Sequence, residues 1–147
     1  MRCDEYYFDL ALKEADYAFK LRNVPVGVVI VKDGVVVSKA HNLKNSSNVS
    51  VYHAEVLAII RACRKLKRWI LDDCVMYVTL EPCEMCMNAI AESRIRDVRY
   101  LVSSNYYENL KKNYNLIDAK CFCSNSDLAN KYRKNLYDFF DCIRNDV

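Results

Sequence analysis

The chain has 147 residues, 52% hydrophobic and 28% charged, with a net charge of +3. That length suits one domain over residues 1–147 that buries roughly 70% of its unfolded surface, so the fold does not depend on covalent staples. No apolar run approaches the ~20 residues that span a bilayer, and eight cysteines, about 5% of the chain, fall below the ~8–10% of a disulfide scaffold.

The opening Met1-Arg2-Cys3-Asp4-Glu5 runs directly into a helical pattern with no apolar export segment. A cytoplasmic protein with reduced thiols is therefore expected. Residues 6–22 place Phe8, Ala11, Leu12, Ala15, Ala18 and Phe19 three and four apart, the spacing of an amphipathic helix. Two valine-rich runs then flank Lys32-Asp33-Gly34, and Asp-Gly between apolar runs predicts a β-hairpin, with Pro25 and Gly27 at the start of its first strand. The polar stretch 41–50 reads as a loop.

From His53 to about Leu66 the pattern is helical, with Val56, Leu57, Ile59, Ile60 and Cys63 as the expected buried face. Residues 74–80 form a short apolar run, the pattern of a strand covered on both faces. Pro82 suits a helix start, with Met85, Met87, Ala89 and Ile90 directed inward. Residues 97–102 read as another strand. Residues 103–125 carry no clear pattern, and a last helix from about Asp127 presents Leu128, Tyr132, Leu136, Phe139 and Phe140 on its apolar side. The order helix, hairpin, helix, strand, helix, strand, helix predicts a three-layer α/β/α domain around one mixed sheet.

Two short sequences carry the chemistry, and each opens a predicted helix. "PCEMC" (82–86) sets Cys83 and Cys86 three apart on one helix face, where helix N-terminal N–H groups favour thiolate. Taken alone, the pair could be a redox dithiol or half of a structural zinc knuckle. "HAE" (53–55) supplies His53, 30 residues earlier, as a third ligand. One nitrogen and two sulfurs suit tetrahedral Zn²⁺ with a fourth position for water. Zinc can lower the pKa of that water from 15.7 to about 7. Glu55, reaching the same point off the helix end, can then move its proton as a general acid–base. A redox reading leaves His53 and Glu55 unexplained. Glu81 and Glu84 read as solvated or helix-capping, and Arg61, Arg64, Lys65, Lys67 and Arg68 as a solvated basic run, with nucleic-acid contact as the alternative. Cys121-x-Cys123 has the spacing of a strand rather than of a chelate, and Cys3, Cys63, Cys74 and Cys142 stand alone.

His-x-Glu followed by Pro-Cys-x-x-Cys is a signature of zinc nucleobase deaminases. The chain resembles the cytidine-deaminase-like superfamily, and within it the bacterial tRNA-specific adenosine deaminases. The residues that carry the likeness are "VPVGVVIV" (24–31), "HN" (41–42), "HAE" (53–55), "YVTLEPCEMC" (77–86) and "SRI" (93–95), with a weaker echo in "DFF" (138–140). The resemblance covers about residues 5–102. It implies one Zn²⁺ per subunit on His53, Cys83 and Cys86, a zinc-bound hydroxide as nucleophile, and Glu55 as proton shuttle. It implies Asn42 and the Ala54 backbone as substrate contacts. The expected reaction is adenosine to inosine at the wobble position of a tRNA anticodon, with deamination of a free base, nucleoside or nucleotide as the alternative. A homodimer, in which the partner helps wall the site, is also implied. Tyr52 stands where the family carries a small residue and is expected to narrow the pocket mouth. Leu101, Val102, Ser103 and Ser104 replace a small-residue segment after the last clear strand.

Overall fold

The computed structural model describes residues 2–104, 117–122 and 126–145. The chain runs α1 (Asp4–Lys20), β1 (Gly27–Lys32), β2 (Val35–His41), α2 (Lys44–Ser47), α3 (Ala54–Leu66), β3 (Cys74–Leu80), α4 (Glu84–Glu92), β4 (Asp97–Val102), β5 (Asp118–Cys121) and α5 (Asp127–Asn145). The five strands form one mixed sheet in the order β2-β1-β3-β4-β5. β1 is antiparallel to β2 and β3, whereas β3–β4 and β4–β5 are parallel. β3 and β4 therefore end at the same edge of the sheet, and β1 begins there.

Alternation along the central strands feeds two cores. Val28, Ile30, Met76, Val78 and Val98 pack on one face with Leu57, Ala58 and Ala62 of α3 and Ile90 of α4. Val29, Val31, Tyr77 and Leu101 pack on the other with Phe8, Ala11 and Ala15 of α1 and Tyr132 of α5. This is the expected three-layer architecture. Both glycines have a geometric reason. Gly34 (φ 77°) follows Asp33 (φ 50°) in the hairpin turn, where two positive φ values match the twist of the flanking strands. At Gly27 a Cβ would lie 1.9 Å from the Ala11 carbonyl oxygen and 2.6 Å from the Ala15 nitrogen, so α1 rests directly on the β1 backbone.

Several expectations need correction. The stretch 41–50 is not all loop, since it holds α2. α4 starts at Glu84 rather than at Pro82; Cys83 is its N-cap, and Pro82 fixes the approach from one residue outside. β5 falls within the stretch that showed no pattern, as an exposed edge strand beside β4. Cys121 lies on that strand, while Cys123 is outside the described residues. The buried side of α3 is Ala54, Glu55, Leu57, Ala58 and Ala62; Val56, Ile59 and Cys63 are half-buried, and Ile60 is 37% exposed. Small residues let α3 lie close on β1 and β2, which leaves the larger ones outside. Phe140 is likewise exposed, whereas Tyr132 and Phe139 are buried as expected, together with Ala129. No described helix is long and apolar enough to cross a membrane.

Candidate active site

The site lies at the sheet edge where β3 and β4 end, the usual place for ligands in α/β sheets. His53 is the N-cap of α3 (φ −72°, ψ 151°) and Cys83 the N-cap of α4 (φ −71°, ψ 173°). Their carbonyls accept the first intrahelical bonds, from Leu57 N–H at 3.1 Å and Met87 N–H at 2.8 Å. Neither side chain caps its own helix, so both are available to the space between the helix ends.

That space brings three of the predicted residues together. His53 Nδ1 lies 3.6 Å from Cys83 Sγ and 3.5 Å from Cys86 Sγ. The three donor atoms fall within 4.8 Å of one another. Tetrahedral zinc, with Zn–S near 2.3 Å and Zn–N near 2.0–2.1 Å, requires N···S edges of about 3.6 Å. The donor set and its spacing therefore fit zinc.

The electrostatics point the same way. The Cys83 thiol is pulled down to about 4, first by its hydrogen bond with Cys86 and then by His53. Cys86 is pushed up, first by sharing that hydrogen bond and then by burial. His53 is raised, chiefly by its hydrogen bond to Cys83. Without a metal the cluster is thus a thiolate at Cys83 beside a thiol at Cys86 and a cation-favouring imidazole. A dication held by His53, Cys83 and Cys86 would take the place of the shared proton, with both sulfurs as thiolates.

Glu55 stands beside this cluster. It is 4% exposed, and the Cys86 thiol donates to its Oε2 at 3.4 Å. Burial raises its pKa, opposed in part by a hydrogen bond from its own backbone N–H. The carboxylate thus sits against the metal-fitting group while donating no atom to the cluster of three.

A cleft of about 360 Å³ opens from this point, lined by Val24, Val26, Asn42, Lys44, His53, Glu55, Leu80, Glu81, Cys83 and Ser104. Its volume is in the ~300–1,000 Å³ range of small-molecule clefts. Asn42, 6% exposed, lies just beyond β2. Its Oδ1 accepts the Lys44 N–H at 2.8 Å, which fixes the amide with Nδ2 as the remaining donor. The neighbouring His41 instead pairs with Glu14 of α1 at 2.9 Å. Ala54 is fully buried, its side chain in the core, and it is not among the described residues lining the cleft.

Other expectations are revised. Glu81 is neither solvated nor a helix cap: it is 7% exposed, lines the cleft, and accepts the Ser104 N–H at 3.3 Å. Tyr52 packs against the core and is not among the residues lining the cleft. The basic run starts about 12 Å along the axis of α3 from His53 and continues past the far end of the helix, about 20 Å away. There Arg61 bonds the Lys39 carbonyl and Arg68 pairs with Asp73. Sequence reasoning missed Val24, Val26, Lys44 and Leu80 as lining residues. Lys44 lies in the polar stretch 41–50, and nothing local distinguishes it.

The profile of the cytidine and deoxycytidylate deaminase zinc-binding region matches residues 1–102. A tRNA-specific adenosine deaminase of Aquifex aeolicus is 43% identical over 114 residues, 78% of this chain and 76% of that protein. A structure from studies of A-to-I editing by tRNA:A34 deaminases at the wobble position superposes with a TM-score of 0.73 at 32% identity, covering 80% of this chain and 98% of that one. A guanine deaminase of Bacillus subtilis superposes with a TM-score of 0.66 at 37% identity, covering 69% and 66%.

Proposed function

The chain belongs to the cytidine and deoxycytidylate deaminase zinc-binding family, and on that premise we propose that this zinc-dependent deaminase converts adenosine to inosine at the wobble position of tRNA anticodons. The observation that carries the chemistry is the buried Glu55 carboxylate set against a His53–Cys83–Cys86 group with zinc spacing. The tRNA-deaminase relatives support the substrate.

Zinc held by His53, Cys83 and Cys86 supplies a Lewis acid that makes water acidic near neutral pH. Glu55 takes the proton of the attacking water, delivers it to N1 of the adenine ring, and then assists departure of the C6 amine as ammonia. Its burial keeps bulk water from competing for that proton. Asn42 Nδ2 orients the nucleoside, and the Ala54 backbone meets the edge of the base. A wobble base is already single-stranded, so turning it into a cleft of this size costs little. The cytoplasm follows from that substrate.

A homodimer is supported by the outer side of α3. Half-buried Val56 and 37% exposed Ile60, one turn apart, give the helix a second apolar face that the described residues leave partly open.

The test offers zinc-loaded protein an anticodon stem-loop with adenosine at the wobble position, alongside guanine and cytidine. Inosine in the stem-loop is the expected product. Turnover of free guanine without inosine formation would favour the second reading, which the likeness to the guanine deaminase motivates.

A further inference from the structure

Lys44 is the single lysine or arginine among the described residues lining the cleft, and it stands at the mouth with its side chain exposed. Among the described residues its ammonium forms no ion pair. The other ionisable carboxyl groups lining the cleft are Glu55 and Glu81, so among the described lining residues Lys44 is the one side chain that offers an anion a fixed positive charge.

The backbone that carries Lys44 is held from two sides. Its N–H donates to Asn42 Oδ1 at 2.8 Å. The next two N–H groups, of Asn45 and Ser46, both donate to Asn23 Oδ1 at 2.9 Å. Asn23 is fully buried, and its Nδ2 donates to Ser46 Oγ at 3.0 Å. Asn45 Nδ2 returns a bond to the Arg22 carbonyl at 3.1 Å. The N-cap of α2, Leu43, makes no side-chain cap, so Asn23 caps the helix from 22 residues away. That cap consumes the donors that might otherwise bind an anion and leaves the lysine as the cationic group. It also fixes Lys44 two residues from Asn42, the predicted nucleoside contact. The basic run at the far end of α3 has no such relation to the cleft.

We propose that Lys44 forms a phosphate subsite at the cleft mouth, binding the phosphate attached to the ribose of the nucleoside held by Asn42 and Glu55. The proposal rests on those two residues meeting the target nucleoside. It deepens the tRNA reading, in which the group bound is a backbone phosphodiester. The same chemistry would accept the phosphomonoester of a nucleotide. A lysine at the mouth then favours phosphate-bearing substrates over free bases and nucleosides.

The experiment measures binding of the anticodon stem-loop to zinc-loaded protein across a salt series, with competition by adenosine, adenosine 5′-monophosphate and adenosine 3′-monophosphate. Lys44→Gln should weaken stem-loop binding roughly tenfold. It should also reduce the slope of log K against log salt by about 0.7, the value for one phosphate contact on a single strand. Lys44→Arg should restore the slope. Because Lys44 is exposed, both variants should keep their zinc content and melting temperature. The comparison variant Arg64→Gln/Lys65→Gln, altered at the exposed far end of α3, should leave the slope unchanged. An equal fall in that variant would reduce the effect to overall charge and overturn the subsite. So would an unchanged slope in Lys44→Gln together with equal competition by adenosine and its monophosphates. If the wild-type protein ignores the stem-loop yet prefers a monophosphate, and Lys44→Gln loses that preference, the subsite stands and the tRNA reading fails.

Discussion

Replacing Glu55 with glutamine is the most direct test of the chemistry. The side chain is buried, and its one bond across the site, the 3.4 Å contact from the Cys86 thiol, ends on an oxygen that glutamine can also supply. Shape and an acceptor are therefore kept. What changes is charge: a buried carboxylate carries a desolvation cost, so the amide should leave the fold as stable or more stable. The three metal-fitting atoms belong to other residues, so zinc should remain. What is lost is a base able to move the water's proton to the ring nitrogen. General acid–base catalysis contributes about 10²–10⁴-fold, or roughly 2.7–5.5 kcal/mol of transition-state stabilisation. Glu55→Gln is thus expected to lower kcat by that factor with little change in substrate Kd. The assay is single-turnover inosine formation, with zinc content and thermal unfolding measured on the same preparation. Turnover within tenfold of wild type, with zinc bound, would refute Glu55 as the proton shuttle.

Three further outcomes follow from the same structure. Cys86→Ser should lose zinc and measurable turnover; chelation of the wild-type protein should lower Tm by roughly 5–10 °C, because a ligand present at 100 times its Kd contributes about 2.7 kcal/mol. Gly27→Ala should destabilise by about 3 kcal/mol or more in urea titration, since its Cβ would meet α1 backbone atoms at 1.9, 2.6 and 2.9 Å; a change below about 0.5 kcal/mol would mean α1 is not seated on β1 as described. Ile60→Asp should convert a dimer to a monomer in sedimentation, whereas an unchanged mass would remove the outer face of α3 as the interface.

What could be read from the sequence, and what could not, divides by the range of the forces involved. The Asp33-Gly34 turn is local chemistry and appears where expected. The limits of β3 and β4 follow from short apolar runs. α3 is different. Its periodicity supports two apolar faces, Ala54, Ala58 and Ala62 on one side and Val56, Ile59 and Ile60 on the other. A reading weighted by side-chain size chooses the larger residues, but the closeness of α3 to the sheet selects the alanines. β5, Asp-Ala-Lys-Cys, has no strand signature and depends on pairing with β4. α2 is capped by a residue 22 positions away, which no local pattern encodes. The exposed Phe140 shows the same limit on α5.

The candidate site was more legible than the packing because its spacing is a property of helix ends. On the body of a helix, residues two apart diverge, so His53 and Glu55 ought not to meet one target. His53 is an N-cap, however, and its extended backbone sends the side chain off the helix end instead of along its surface. Cys83 and Cys86 occupy the N-cap and N3 positions of α4, the same pair that a capping box brings together. Two sulfurs at that spacing must lie close, whatever the rest of the fold does. Serine or aspartate at either N-cap would spend its side chain on the first-turn N–H groups. Histidine and cysteine do not cap here, so the positive ends of two helices face the Cys83 thiolate, where they stabilise negative charge.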